Sequence, residues 1–96
     1  MASNAFTVGT LNVRGIRNSR KRKLLFQYLQ RQTIDIACLQ ETYITGNIVD
    51  EVRKEWRGKM FYSEGTNRSN GLMILLHKNL QYENVELLRS TDRILV

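Results

Sequence analysis

Residues 34–42 read Ile34-Asp35-Ile36-Ala37-Cys38-Leu39-Gln40-Glu41-Thr42. The first six are almost continuously apolar, and the run is short. A strand wetted on one face alternates apolar with polar residues. A near-continuous apolar run suits a strand covered on both faces, as in parallel sheets. We therefore read Ile34 to Leu39 as a buried strand with Glu41 just beyond its carboxyl end. A parallel neighbour requires an earlier strand and a crossover. Upstream, Phe6 to Leu11 is β-rich and ends at Asn12, which predicts that strand. Val13 to Asn18 contains Gly15 and several polar groups and reads as a loop. Ser19 can cap a helix, and Leu24, Leu25, Tyr28 and Leu29 recur at helical spacing, predicting an amphipathic helix over 20–32. Strand, helix and strand make a βαβ unit with a right-handed crossover.

Further along, Val49 to Trp56 predicts a short helix and Met60 to Ser63 a short strand. Glu64 to Asn70 reads as a turn and Gly71 to His77 as a strong strand. Tyr82 to Leu88 alternates weakly. Arg93 to Val96 begins another strand at which the sequence stops, so a single partial domain over 1–96, truncated at its carboxyl end, is expected. The fold class is α/β.

The apolar fraction of 42% argues against a disordered chain. Met1 to Ala5 lacks a basic segment followed by an apolar run and does not read as a secretory signal. Leu72 to Leu76, the longest apolar run, is far too short to cross a bilayer, so no membrane partner is expected. The single Cys38 cannot form an internal disulfide. A buried thiol in a reducing, intracellular compartment fits it.

Charge is unevenly placed. Residues 1–34 carry seven Lys or Arg and no acid, whereas the rest holds eight basic and nine acidic residues. A localised basic excess attracts polyanions, because neutralised phosphates release condensed counterions. Arg14 and Arg17, in the loop beside Asn12, are the first candidates for phosphate contacts, and Lys21 and Arg22 of the Arg20-Lys21-Arg22-Lys23 cluster the next. The alternative for that cluster is a solvated helix face. Trp56, Phe61 and Tyr62 read as core or sheet-edge aromatics.

In open parallel sheets, ligands bind beyond the carboxyl ends of the strands. Asn12 and Glu41 would share one small volume there if their strands, about 5 Å apart, are neighbours. A carboxylate in that place can hold Mg²⁺, which prefers oxygen ligands. The plainer reading of Glu41 is a solvated strand end.

Thr10-Leu11-Asn12-Val13-Arg14-Gly15 resembles the opening motif of the endonuclease/exonuclease/phosphatase superfamily. Ile34 to Thr42 resembles its second motif, Ser69 to Leu76 its third strand, and Asp92 to Val96 the next. Within the superfamily the sequence looks closest to the endonuclease domain of non-LTR retrotransposons. The resemblance implies the amino-terminal part of a four-layer α/β sandwich with two central mixed sheets. It also implies hydrolysis of a phosphodiester, in its full form as a DNA-nicking endonuclease. Asn12 and Glu41 would be catalytic, with Glu41 the metal carboxylate for Mg²⁺, or Mn²⁺ in its place. DNA would be the partner, which points to the nucleus. The family's later motifs supply a tyrosine, an aspartate–asparagine pair and an aspartate–histidine pair, all beyond residue 96. The isolated chain is therefore expected to be inactive, and to self-associate or to need a carboxy-terminal remainder of the domain. His77, the single histidine, reads as a turn or surface residue, and Tyr43 is not expected to be catalytic. Two other readings stay open: a non-catalytic basic module that binds nucleic acid, and a superfamily member acting on another phosphoester, such as a phosphoinositide.

Overall fold

A computed structural model describes residues 7–65 and 70–80. The elements run β1 (Val8–Asn12), α1 (Ser19–Arg31), β2 (Ile36–Gln40), α2 (Gly46–Glu55), β3 (Met60–Ser63) and β4 (Leu72–Leu76). Among the described residues the strands form one sheet in the order β1-β2-β4-β3. β1 and β2 are parallel, with Asn12 opposite Gln40. β4 runs antiparallel to both β2 and β3, so the sheet is mixed. The α/β class holds. Tyr82 to Leu88 and Arg93 to Val96 lie outside the described residues, as does Phe6.

Boundaries moved where specific hydrogen bonds, some of them distant in sequence, fix the element ends. Asn12 is the last residue of β1, not the first after it. β2 starts two residues later than expected. Before it, the Asp35 carboxylate accepts the Thr7 N–H (2.9 Å) and so ties the starts of the two strands together. The cap of α1 is Asn18, whose carboxamide oxygen accepts the Lys21 N–H at 3.0 Å. Ser19 is the first helical residue instead, because the amide one position earlier already satisfies that free N–H. α2 begins three residues before the expected Val49. Its first N–H, on Gly46, donates to the Glu64 carboxylate, a contact 18 residues away that periodicity does not register. β3 forms over the expected residues.

The described helices pack on one sheet face. Phe26 and Leu29 of α1 and Val49 and Val52 of α2, with Trp56 after it, bury against Ala37, Leu39, Met60, Met73 and Leu75. Phe26 meets Trp56 edge-on, centroids 5.4 Å apart at 73°, a geometry worth about 0.5–1.5 kcal/mol beyond the buried area. The buried stripe of α1 is Arg22, Phe26 and Leu29. Leu24 and Tyr28, expected on it, are 63% and 53% exposed. The opposite sheet face carries Ile36 and Leu76, with Cys38, Phe61, Ile74 and Leu80 partly buried around them. Cys38 is thus half-buried, and burial raises its thiol pKa. None of the described helices is long and apolar enough to cross a membrane.

Candidate active site at the carboxyl ends of β1 and β2

The parallel register delivers Asn12 and Gln40 to the same end of the sheet, and Glu41 follows at once. The Asn12 amide nitrogen donates to Oε2 of Glu41. The Asn12 oxygen accepts the Arg14 N–H at 3.2 Å, so both ends of the amide are set. No other hydrogen bond holds the Glu41 carboxylate among the described residues, which leaves Oε1 open.

Backbone bonds stitch the two loops beyond the strands. Val13 N–H donates to Gln40 O (2.9 Å), Gly15 N–H to Glu41 O (2.6 Å) and Ile16 N–H to Thr42 O (3.0 Å). On the other side Thr42 N–H reaches Gly71 O (3.3 Å) and Tyr43 N–H reaches Asn70 O (2.9 Å). This pairing bends the backbone sharply. Arg14, Glu41 and Tyr43 have φ of 52°, 57° and 58°. L-residues occupy that left-handed region at a cost of about 1–3 kcal/mol each, and such strain persists only where surrounding bonds over-determine it. Thr42, between two of them, is fully buried, and its hydroxyl has no hydrogen-bond partner.

The expected basic residues divide. Arg14 is exposed, and its guanidinium has no partner among the described residues. Arg17 spans the two loops, donating through Nη1 to Tyr43 O (3.2 Å) and Thr45 Oγ1 (2.9 Å) while Nε and Nη2 stay free. Lys21 turns its ammonium onto Val13 O (2.8 Å) and Arg14 O (3.4 Å), pinning the first loop.

Arg22 is a correction. It is 0% exposed, and all five of its N–H groups are used inside the fold. Nε and Nη2 clasp the Glu55 carboxylate at 2.6 and 2.9 Å, and Nη2 also meets Glu51 at 2.8 Å. Nη1 donates to Ile16 O (3.1 Å) and Arg17 O (2.8 Å). The hydrogen bond to Glu55 holds the Arg22 pKa above its ordinary value, against the opposing effect of burial. Such a guanidinium is unavailable to phosphate. The signal was in the helical period: positions 22, 26 and 29 share a face, so Arg22 falls on the apolar stripe.

The expectations for His77 and for the aromatic residues Trp56, Phe61 and Tyr62 hold. His77 lies at a turn, its Nδ1 accepting the Asn79 N–H at 3.2 Å. Trp56 is buried and Phe61 and Tyr62 partly so. Sequence reasoning missed Glu64, whose carboxylate meets the start of α2.

As a cation site, the donor set is one carboxylate with an open oxygen beside an oriented amide. Mg²⁺ commonly takes only one or two protein carboxylates and keeps waters or substrate oxygens for the rest, so these residues fit part of such a site. No group of three or more His, Cys, Asp or Glu comes together among the described residues.

The parallel pair thus brings a strand-end carboxylate and an oriented amide together in an α/β fold. The chain matches the endonuclease/exonuclease/phosphatase family over residues 9–95 and belongs to it. The family is hydrolytic and typically depends on a divalent metal. The chain is also similar to the transposon TX1 uncharacterized 149 kDa protein of Xenopus laevis, 29% identical over 79 residues, which is 82% of this chain. It spans about 6% of that relative's length.

Proposed function

We propose that the chain is the amino-terminal part of a Mg²⁺-dependent endonuclease that nicks DNA, of the non-LTR retrotransposon type. The observation that carries this reading is the contact between Asn12 and Glu41 at the shared carboxyl end of β1 and β2. The transposon relative supports the biological setting. Glu41 would hold the metal, with Mn²⁺ able to replace Mg²⁺; the ion would polarise the phosphate and stabilise the leaving oxygen. Asn12 fixes the rotamer of that carboxylate. Arg14, and the free edge of Arg17, would contact the flanking phosphates. A second sheet, completing the four-layer sandwich, would cover the face that carries Ile36 and Leu76.

The test is nicking of supercoiled DNA across a Mg²⁺ series by the 96-residue chain and by a carboxy-terminally extended one. The short chain should be inactive, because its site brings one carboxylate and no general base. The extended chain should nick, and Glu41→Gln in it should lower turnover by orders of magnitude. Melting temperature and DNA affinity should hardly change. Parent-rate nicking by Glu41→Gln at every Mg²⁺ concentration would sink the metal assignment. DNA binding without nicking by either chain would favour the non-catalytic binding module, and cleavage of a phosphoinositide in place of DNA would favour the third reading.

A further inference from the structure

The Arg20-Lys21-Arg22-Lys23 run does not act as one cluster. Lys21 and Arg22 turn inward onto carbonyls and carboxylates. Arg20 and Lys23, three apart on one helix face, have no hydrogen bond or ion pair among the described residues. Both stand in the first turns of α1, where no acidic residue offsets the helix dipole. Cations there oppose the dipole, and like charges at this spacing repel, so the fold gains nothing from either.

Both line a groove of about 860 Å³ between α1 and the segment after α2, with Phe26 in its lining and Arg57 on its far side. Arg57 also lines a second concavity of about 320 Å³ whose rim includes Lys78. Arg57 therefore joins the two hollows into one track. Arg57 and Lys78 are likewise exposed and unpaired among the described residues. The only carboxylate among the described residues lining either hollow is Glu55, and both of its oxygens are taken by Arg22. Five cations thus line the two hollows; Lys59 has a partner, and Arg20, Lys23, Arg57 and Lys78 face no free carboxylate among the described lining residues. Gln27 and Gln30 add neutral amide donors.

We propose that this track, from Arg20 and Lys23 through Arg57 to Lys78, binds the phosphodiester backbone of nucleic acid as a contact surface separate from the Asn12–Glu41 site. A polyanion suits it because each cation can neutralise one phosphate and release condensed counterions. The uncompensated charge suits regularly spaced phosphates, and the apolar part of the lining, Leu24 and Phe26, can lie against the sugars between them. The assignment rests on the reading that the substrate is nucleic acid, but it concerns affinity and not turnover.

The experiment measures binding of the full chain to a labelled random-sequence DNA duplex by fluorescence anisotropy across a salt series. Arg20→Gln, Lys23→Gln, Arg57→Gln and Lys78→Gln are combined, and Arg57→Gln and Lys78→Gln are also measured singly in case the combination misfolds. The logarithmic salt slope should become shallower by about 0.9 for each cation removed, roughly 3–4 in the combined variant. Circular dichroism should show the helices unchanged. Unaltered slopes in the combined and single variants overturn the proposal while leaving Glu41-dependent nicking untouched as the separate measure of the enzyme reading. An unaltered slope with loss of binding to an acidic peptide assigns the track to a protein partner and overturns it equally. A parent chain that shows no salt-dependent duplex binding overturns the track and the nucleic-acid reading together.

Discussion

Arg22 shows what a single side chain can hold. Its fork ties α1 to α2 through Glu51 and Glu55 and fixes the carbonyls of Ile16 and Arg17 in the loop beside Asn12. Arg22→Lys keeps the charge but supplies three donors in a different geometry, so it leaves buried acceptors unmet. We expect it to destabilise the chain by about 2–4 kcal/mol, because removing a buried partner strands the groups it satisfied. Glu51→Gln should cost less than about 1 kcal/mol, since Glu51 is 64% exposed and water screens its pairing. Urea unfolding of the two variants checks this; equal losses would mean that the clasp on Glu55 is not the dominant tie. Asn12 and Glu41 were legible in the sequence because strand ends announce themselves by where an apolar run stops. Arg22 was misread because a run of four basic residues hides which of them face inward. Only the helical phase separates them, and the phase taken from Leu24 and Tyr28 was the wrong one.

At the scale of elements, the parallel pair and the helix between them could be read from residues 6–42, because period and turn signals there are local. The start of α2 could not, since its cap comes from Glu64 across the fold. The strand order was equally hidden: β4 inserts between β2 and β3, a choice made by sheet packing and not by neighbouring residues. Gly71 marks where β4 meets the site. Its φ is +95°, and a Cβ there would lie 2.8 Å from the buried Thr42 hydroxyl and 3.2 Å from Ser63 O. Gly71→Ala should therefore destabilise by about 1–3 kcal/mol, through left-handed strain and displacement of Thr42. Because Thr42 and Tyr43 bond to Gly71 and Asn70, nicking by the extended chain should fall as well. A melting temperature and nicking rate equal to the parent's would show that this turn does not set the Glu41 loop.

For the whole molecule, the sheet is covered by the described helices on one side and carries Ile36, Cys38, Phe61, Ile74 and Leu76 on the other. That second face is itself largely buried, but β1 lies at the sheet edge among the described residues with Val8 and Leu11 exposed, and an open apolar strand edge favours association. We expect the 96-residue chain to self-associate as its concentration rises, by light scattering after size exclusion, and the extended chain to do so less. A monodisperse monomer that melts cooperatively and binds no hydrophobic dye would contradict this. Topology has a consequence in time as well. The contacts that assemble the site close long loops: Asn12 and Glu41 are 29 residues apart, Arg17 and Thr45 28, Arg22 and Glu55 33. Closure over such spans precedes any gain from the contact, and no local helix or hairpin can supply it early. During synthesis at about 5–20 residues per second, Asn12 waits roughly 1.5–6 s for Glu41 to be added. The clamp from Glu55 arrives later still. The nascent chain therefore carries its basic loop and helix well before Glu41 exists to be set beside them.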